Sequence, residues 1–242
     1  MPSEAGGGIT LIPIRGMGEV HPGDDLVDLL VAALSSPGLE LRDGDVVVVT
    51  QKVVSKAEGR LVAIDTADPA AKAALVESES VRILRRRGEL VISETKHGFI
   101  CANAGVDLSN VASGQAALLP LDSDRSARGI VDGLRGRMGI DVGVIISDTF
   151  GRTWRRGVTD VAIGCAGVAA VVDLRGTEDA GGRELQATEV CVADELASAA
   201  ELVMGKDRNV PAAVVRGVPS SWLRRASVAD EIVRPPSEDL FR

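Results

Sequence analysis

Two β-branched runs constrain this chain more than any other feature. Residues 45–50 read Asp-Val-Val-Val-Val-Thr, and Val144-Ile145-Ile146 opens the stretch 144–160. Apolar runs of this length and branching suit strands buried in a core. The second run ends in Asp148-Thr149, followed by Gly151-Arg152 and Trp154-Arg155-Arg156-Gly157. A carboxylate and a hydroxyl at the mouth of a buried strand suit a hard divalent cation, which prefers oxygen ligands. Arg152, Arg155 and Arg156 suit the phosphate or carboxylate groups such a cation would help to hold. An ordinary polar turn is the simpler reading of Asp-Thr alone, whereas the whole combination favours a site.

The rest of the chain reads as short elements of both kinds. Ile9–Ile14 is a strand, and Asp24 or Asp25 caps a helix over Leu26–Leu34. The first β-branched run ends in Thr50-Gln51-Lys52-Val53-Val54-Ser55-Lys56, where a loop is expected to emerge; its lysines read either as ordinary solvated charges or, at a site, with Lys56 pairing with a phosphate as a point charge. A long helical pattern spans Asp65–Arg87, acidic at its start and basic at its end as the helix dipole prefers, so Arg85-Arg86-Arg87 is assigned to structure. Short strands follow at Leu90–Ser93, Phe99–Ala102 and Ala116–Leu121, with His97 read as a turn residue. Asp107 belongs to a polar loop, 104–110, that alone is an Asx-turn. A helix over Asp122–Met138 precedes the central stretch. Val161–Val172 is rich enough in small residues to imply close backbone packing. Gln186–Met204 reads as a helix and Pro211–Arg216 as a last strand. Without regular βαβ alternation, the class expected is α+β.

Bulk properties exclude several functions. The 242 residues suffice for one large domain or two smaller ones. No apolar run is long enough to cross a bilayer, and Met1–Gly8 is polar and glycine-rich, read as a frayed tail rather than a signal peptide. A cytoplasmic protein is expected. A formal charge of −8 speaks against a nucleic-acid surface. Cys101, Cys165 and Cys191 are isolated among small or apolar neighbours and read as free buried thiols. With no Tyr, two Trp and three Phe, stacking platforms are disfavoured. Phosphates, metals and hydrogen bonds remain as handles. Gly16-Met17-Gly18 follows a strand, but His21 stands where a dinucleotide fingerprint needs its third glycine. Gly205-Lys206 lacks the rest of a P-loop, and neither a nucleophile elbow nor a zinc cluster is present. Oxygen-ligand metal chemistry on phosphates is what these residues leave open.

Read in order, the motifs resemble the coenzyme F420-0:L-glutamate ligase family, also called F420 gamma-glutamyl ligase. They are Gly-Asp-Val-Val-Val-Val (44–49), Val-Ser-Lys-Ala-Glu-Gly-Arg (54–60), Ala-Gly-Val-Asp-Leu-Ser-Asn (104–110), Ser-Asp-Thr-Phe-Gly-Arg (147–152), Arg-Arg-Gly-Val-Thr-Asp (155–160), Gly-Arg-Glu-Leu (182–185) and Val-Ala-Asp-Glu-Leu (192–196). The resemblance implies two intertwined α+β subdomains in one ligase domain over 9–242, and a homodimer. It implies GTP-dependent addition of L-glutamate to F420-0, then of γ-linked glutamates, through an acyl phosphate. Two divalent cations, Mg²⁺ or Mn²⁺, and K⁺ would assist. Asp107 and Asp148 would hold the first divalent ion and Thr149 the second. Arg152 and Arg155 would join Asp148 in catalysis. GTP would lie against Met17, Gly18, Glu19, Val20, Gln51, Lys52, Lys56, Asn110 and the loop Met204-Gly205-Lys206 to Pro211. Archaeal members carry an acid where this chain has Lys206, which cannot be a ligand while protonated, so the second site is expected to be either weaker or completed by water and phosphate. The chain stops about where actinobacterial two-domain relatives continue into a nitroreductase-like domain. A metal-dependent nucleotide phosphohydrolase and a non-catalytic GTP-binding subunit are the alternatives that the residues leave open.

Overall fold

The valines of the first β-branched run alternate between two cores, and that alternation organises the molecule. Val47 and Val49 pack into one buried cluster, Val46 and Val48 into another, as successive strand residues must when both faces are covered. The computed structural model describes residues 8–35, 39–109 and 113–240. Its elements are β1 (Thr10–Ile14), α1 (Leu26–Leu34), β2 (Val46–Thr50), α2 (Gln51–Ala57), β3 (Leu61–Ala63), α3 (Pro69–Glu79), β4 (Ser80–Arg87), β5 (Leu90–Thr95), β6 (Ile100–Ala102), β7 (Gln115–Ala117), α4 (Ser123–Met138), β8 (Gly143–Gly151), β9 (Val158–Ala166), β10 (Val172–Asp173), β11 (Glu189–Val190), α5 (Val192–Met204), β12 (Ala212–Arg216) and α6 (Val228–Glu231). The class is α+β.

The main sheet has the order β1-β12-β2-β8-β9, with β2 and β8 parallel and every other pair antiparallel. One face carries Val144 and Ile146 of β8 against Leu30 of α1 and Ile130 and Leu134 of α4. The other carries Ile145 against Leu196, Ala200 and Met204 of α5. A smaller cluster built on Val76, Val91, Val106 and Leu118 holds α3 to the sheet β4-β5-β6 and to the pair β3-β7. The two parts are stitched by Leu118, whose carbonyl accepts from Ser55 Oγ at 2.6 Å and from Gln51 Nε2 at 3.2 Å. A carbonyl buried at the end of β7 therefore fixes α2, and with it the end of β2.

Helix starts obey capping chemistry. Asp25 accepts from Val27 N at 2.8 Å and Asp122 from Arg125 N at 2.8 Å, each satisfying an orphan amide of a first turn. The helix expected over Asp65–Arg87 is wrong beyond Glu79. Asp68 caps it and Pro69 opens it, but Ser80–Arg87 is a strand paired with β5. The turn at Gly88-Glu89 folds the segment back onto β5, with register shifts between Ser80 and Arg82 and between Ile83 and Arg85. Arg85–Arg87 thus end a strand, not a helix. Residues 51–57, expected as a loop, are α2. The helix expected from Gln186 begins at Val192, the strand expected over Ala116–Leu121 covers Gln115–Ala117, and β8 runs on through Asp148 and Thr149 to Gly151. The three thiols are free, Cys101 and Cys165 buried and Cys191 partly so. Residues 1–7 of the expected tail, and Asn110, lie outside the described residues. Among those described, no helix is long and apolar enough to cross a membrane.

The small residues after the central stretch do pack against backbone. A Cβ on Gly164 of β9 would lie 2.5 Å from the Ser123 carbonyl oxygen at the start of α4. Nearby, Asp124 is buried and accepts from the amides of Cys165 and Val228 at 2.8 Å and of Ala229 at 3.1 Å, tying β9, α4 and α6 together. Gly164→Ala must push α4 off the sheet, and is expected to cost about 1–3 kcal/mol, read as a lowered urea midpoint at unchanged slope.

Candidate active site at the ends of two parallel strands

Because β2 and β8 pair in parallel with Thr50 opposite Ser147, both chains arrive at the same edge of the sheet. From there β2 turns directly into α2, while β8 continues into a hairpin with β9. Asp107 is brought to this edge from the smaller part. Its backbone exchanges two hydrogen bonds with Ala117, at 2.9 and 2.8 Å, one residue before the Leu118 carbonyl that α2 holds. Lys52, in the first turn of α2, then reaches Asp107 Oδ2 at 2.9 Å and donates to Ser109 Oγ at 2.9 Å. Ser109 N donates to Asp107 Oδ1 at 2.7 Å, the Asx-turn expected of this loop. Burial pushes the Asp107 carboxyl up, but the hydrogen bonds from Lys52 and Ser109 outweigh it and hold it below the usual range.

Alternation along β8 divides its end residues between the two faces. Ser147 and Thr149 share one face, where their hydroxyls donate to Asp160 at 3.1 and 2.7 Å. Asp160, 1% exposed, sits on β9 directly opposite Thr149. Lys206, two residues beyond α5, completes the group: its ammonium lies 2.6 Å from Asp160 Oδ1 and 2.5 Å from Thr149 Oγ1. Asp148 points to the other face. There its charge helps burial push the Cys101 thiol of β6 up to about 12, so that thiol is inert at neutral pH.

Asp148 is the unbalanced member. Burial, then the negative charges of Asp107 and Asp160, push its carboxyl up to about 7, against the opposing pull of the Thr149 amide and the Lys206 charge. Among the described residues no Lys, Arg or His lies at ion-pair distance from it. Nor do three His, Cys, Asp or Glu side chains gather closely enough to hold an ion unaided. The donors are oxygen atoms with surplus negative charge, a set that fits one hard cation completed by water or substrate oxygens. Cavities of about 340 Å³, between α1, α2 and α4, and about 560 Å³, beside Leu39 and Arg216, lie elsewhere and are not lined by these carboxylates.

The family model described as F420-0:Gamma-glutamyl ligase matches residues 16–217. The chain belongs to that family. The coenzyme F420:L-glutamate ligase of Methanothermobacter thermautotrophicus is 44% identical over 250 residues, which cover 97% of this chain and 99% of the relative. The proteins of the same name from Methanopyrus kandleri and Archaeoglobus fulgidus are 43% and 38% identical, over 93% and 97% of this chain and 94% and 96% of theirs.

The positions at which members of this family are expected to hold nucleotide fall into two sorts here. Lys52, Lys56, Glu19 and Lys206 carry ionic groups around the strand ends, with Gly18 exposed and Gly205 half-buried beside them. Lys56 bonds Glu19 Oε1 at 2.5 Å, joining α2 to the turn after β1. Met17, Val20, Met204 and Gln51 are buried, and the Gln51 amide is spent on Leu118, so their part is to shape the backbone. Arg152, Arg155 and Arg156 are placed at the tip of the β8–β9 hairpin, exposed, where Arg152 bonds the Arg156 carbonyl at 3.1 Å. Three strand residues separate Asp148 from Arg152, a span of roughly 13 Å between their backbones, and the hairpin tip does not bring the arginines onto the carboxylates. Trp154, 89% exposed, takes a left-handed φ of 67° at that tip. Sequence reasoning missed Asp160 and the bonding of Lys206. The available signal was an acid leading directly into the apolar run 161–166.

The raised Asp148 carboxyl has a sign for stability. Its folded value, about 7, lies above the ~3.9 of an unfolded aspartate, so the native state binds more protons between those limits. Stability in chelator should therefore fall as pH rises from about 4 to 7, and the loss is complete above 7. Asp148→Asn should abolish that slope and be more stable at pH 8 by on the order of 2–4 kcal/mol. Denaturant titrations at pH 5 and 8 measure both effects.

Proposed function

We propose that this chain joins the amine of L-glutamate to the carboxylate of the F420-0 tail, and γ-links later glutamates, at the expense of GTP. The observation that carries the reading is the uncompensated charge at Asp148, beside Asp107 and at the ends of two parallel strands, in a chain whose relatives named coenzyme F420:L-glutamate ligase match it almost end to end. GTP, glutamate and the F420-0 tail are all anionic. They require a site that gathers cations inside an otherwise acidic chain, and Lys52, Lys56 and Lys206 stand around this one. One divalent ion, Mg²⁺ or Mn²⁺, shared by Asp107 and Asp148, supplies the remaining positive charge when bound. K⁺ assistance and a homodimeric assembly belong to the same reading, and light scattering at micromolar protein checks the second.

The chemistry asks little of a protein nucleophile. The F420-0 carboxylate attacks the γ-phosphorus of GTP, GDP leaves, and an acyl phosphate forms. The glutamate amine, after losing a proton, attacks the acyl carbon and expels phosphate, leaving an amide. What the chain contributes is orientation and fixed charge. Lys52 holds the Asp107 carboxylate through its Oδ2. The short joint between β2 and α2 keeps Lys52 and Lys56 on one helix, within reach of a polyphosphate.

Incubating the protein with F420-0, GTP, Mg²⁺ and glutamate should produce a mass ladder of glutamate-sized increments on F420. Phosphate release without F420-0 and glutamate should be slight. Rapid release without acceptor, and no ladder, would make the chain a nucleotide phosphohydrolase. Asp148→Asn should lower the rate of the first addition at least ~10²-fold, the scale of one preorganised electrostatic contact. Near-normal turnover of that variant at saturating metal removes Asp148 from the site.

A further inference from the structure

Thr149, the residue expected to meet a second divalent ion, is already in contact with a cation belonging to the chain itself. We propose that the Lys206 ammonium is a resident counter-charge, standing at Thr149 and Asp160 where a second divalent ion would otherwise bind, so that each chain takes one such ion. The inference rests on the proposed ion at Asp107 and Asp148, and concerns the opposite face of the same strand.

The bonding leaves little room for a second ion. Asp160 is buried and accepts from three side chains: Ser147 and Thr149 of β8, and Lys206. Its Oδ1 takes two of these bonds. The Thr149 hydroxyl gives its proton to Asp160 and receives one from Lys206 at 2.5 Å. A divalent ion bonded to the same hydroxyl and carboxylate would sit in contact with the ammonium, with no water between like charges to screen them. Either the lysine swings out or the ion stays away. A buried carboxylate retains its charge most readily beside a partner cation, and Lys206 provides one from a side chain that is still 53% exposed, so its own desolvation is modest.

The backbone presents Lys206 to this spot. Gly205 ends α5 with a φ of +66°, its amide bonded to the Glu201 carbonyl at 2.8 Å, and turns the chain back toward the sheet. One helical turn and more before it, Ser198 of α5 donates to the Asp160 carbonyl at 2.6 Å. The helix that delivers Lys206 is therefore tethered to the residue that Lys206 neutralises. Glu201, 3.9 Å from the ammonium, flanks it without competing at hydrogen-bond distance.

Counting Mn²⁺ on the full chain tests this without reference to activity. Mn²⁺ is titrated in without nucleotide, and the free ion is read from its electron paramagnetic resonance signal. The wild-type chain and Lys206→Arg should each bind one Mn²⁺, because arginine preserves the charge. Lys206→Gln should bind a second, at least tenfold more tightly than any second ion on the wild type, and adding Asp160→Asn should remove it. Two ions of similar affinity on the wild type overturn the inference, whether or not the glutamine variant folds, while leaving the Asp107–Asp148 ion in place. An unchanged count and affinity in Lys206→Gln overturn it likewise. No Mn²⁺ bound by any of these chains is a different failure, since it removes the first ion and the metal-assisted part of the proposed function with it.

Discussion

The parallel pairing of β2 with β8 fixes where every charged group of the site can be. Val46 to Thr50 lie beside Gly143 to Ser147 in unbroken register, and their side chains fill both cores, so neither strand can slip by one residue without turning its apolar set inside out. Two strands held this way leave their pairing at one level, Thr50 beside Ser147. The helix after Thr50 and the hairpin after Ser147 therefore start from a common level. Leu118, clamped by Ser55 and Gln51, carries the third contributor to that level. Asp107 reaches the site through the same backbone exchange with Ala117, so its position depends on the clamp between α2 and Leu118, whose bonds span 63 and 67 residues of sequence.

Opposite ends of this sheet show how differently a carboxylate can be treated. Asp45, just before β2, is 1% exposed. Arg216 grips it through both oxygens, at 2.8 and 2.7 Å, and the Arg42 amide adds a bond of 2.8 Å. That acid is saturated and closed, a bidentate pair fixing β12 beside β2. Asp160 is buried to the same degree and also saturated, but its cation comes from a loop and remains half in water. Asp148 has burial and two like charges nearby but no bonded cation. The progression from Asp45 to Asp160 to Asp148 runs from structure toward chemistry, because an unpaired carboxylate among acids is costly to fold and useful only when something positive arrives.

Much of this was legible in the residues. DVVVVT and VII announced the two central strands, because only burial on both faces tolerates so long an apolar run. Asp24 or Asp25 announced the start of the first helix through local capping, and the glycine and alanine content of 161–172 announced the close approach seen at Gly164. Where reading failed, a local signal misled or the partner was distant. Acidic and basic ends suggested a single helix to Arg87, yet a glycine turn and β5 to pair against made Ser80–Arg87 a strand. Asp160 was overlooked because its meaning depends on a cross-strand register that a bulge between Ile146 and Ser147 resets. The lysine at 206 was noticed for the charge it carries, but its contact with Thr149 belongs to the fold.

Strand alternation also decides how this site can divide its labour. Asp148 and Thr149 are neighbours in sequence and opposites in space. Asp148 belongs, with Asp107, to the face of α2, where Lys52 and Lys56 stand. Thr149 belongs to the face of α5, where Asp160 and Lys206 stand. One face therefore presents Asp148 without a bonded cation beside an acid already paired with Lys52, and the other a cation already fixed on its acid. In the proposed ligation this asymmetry matters, because a lysine bonded to Asp160, whose carbonyl is tethered by Ser198, keeps its charge in place. Preorganised charge of that kind needs no rearrangement when an anion develops beside it, and the fold provides it by the same two-residue period that buries the valines.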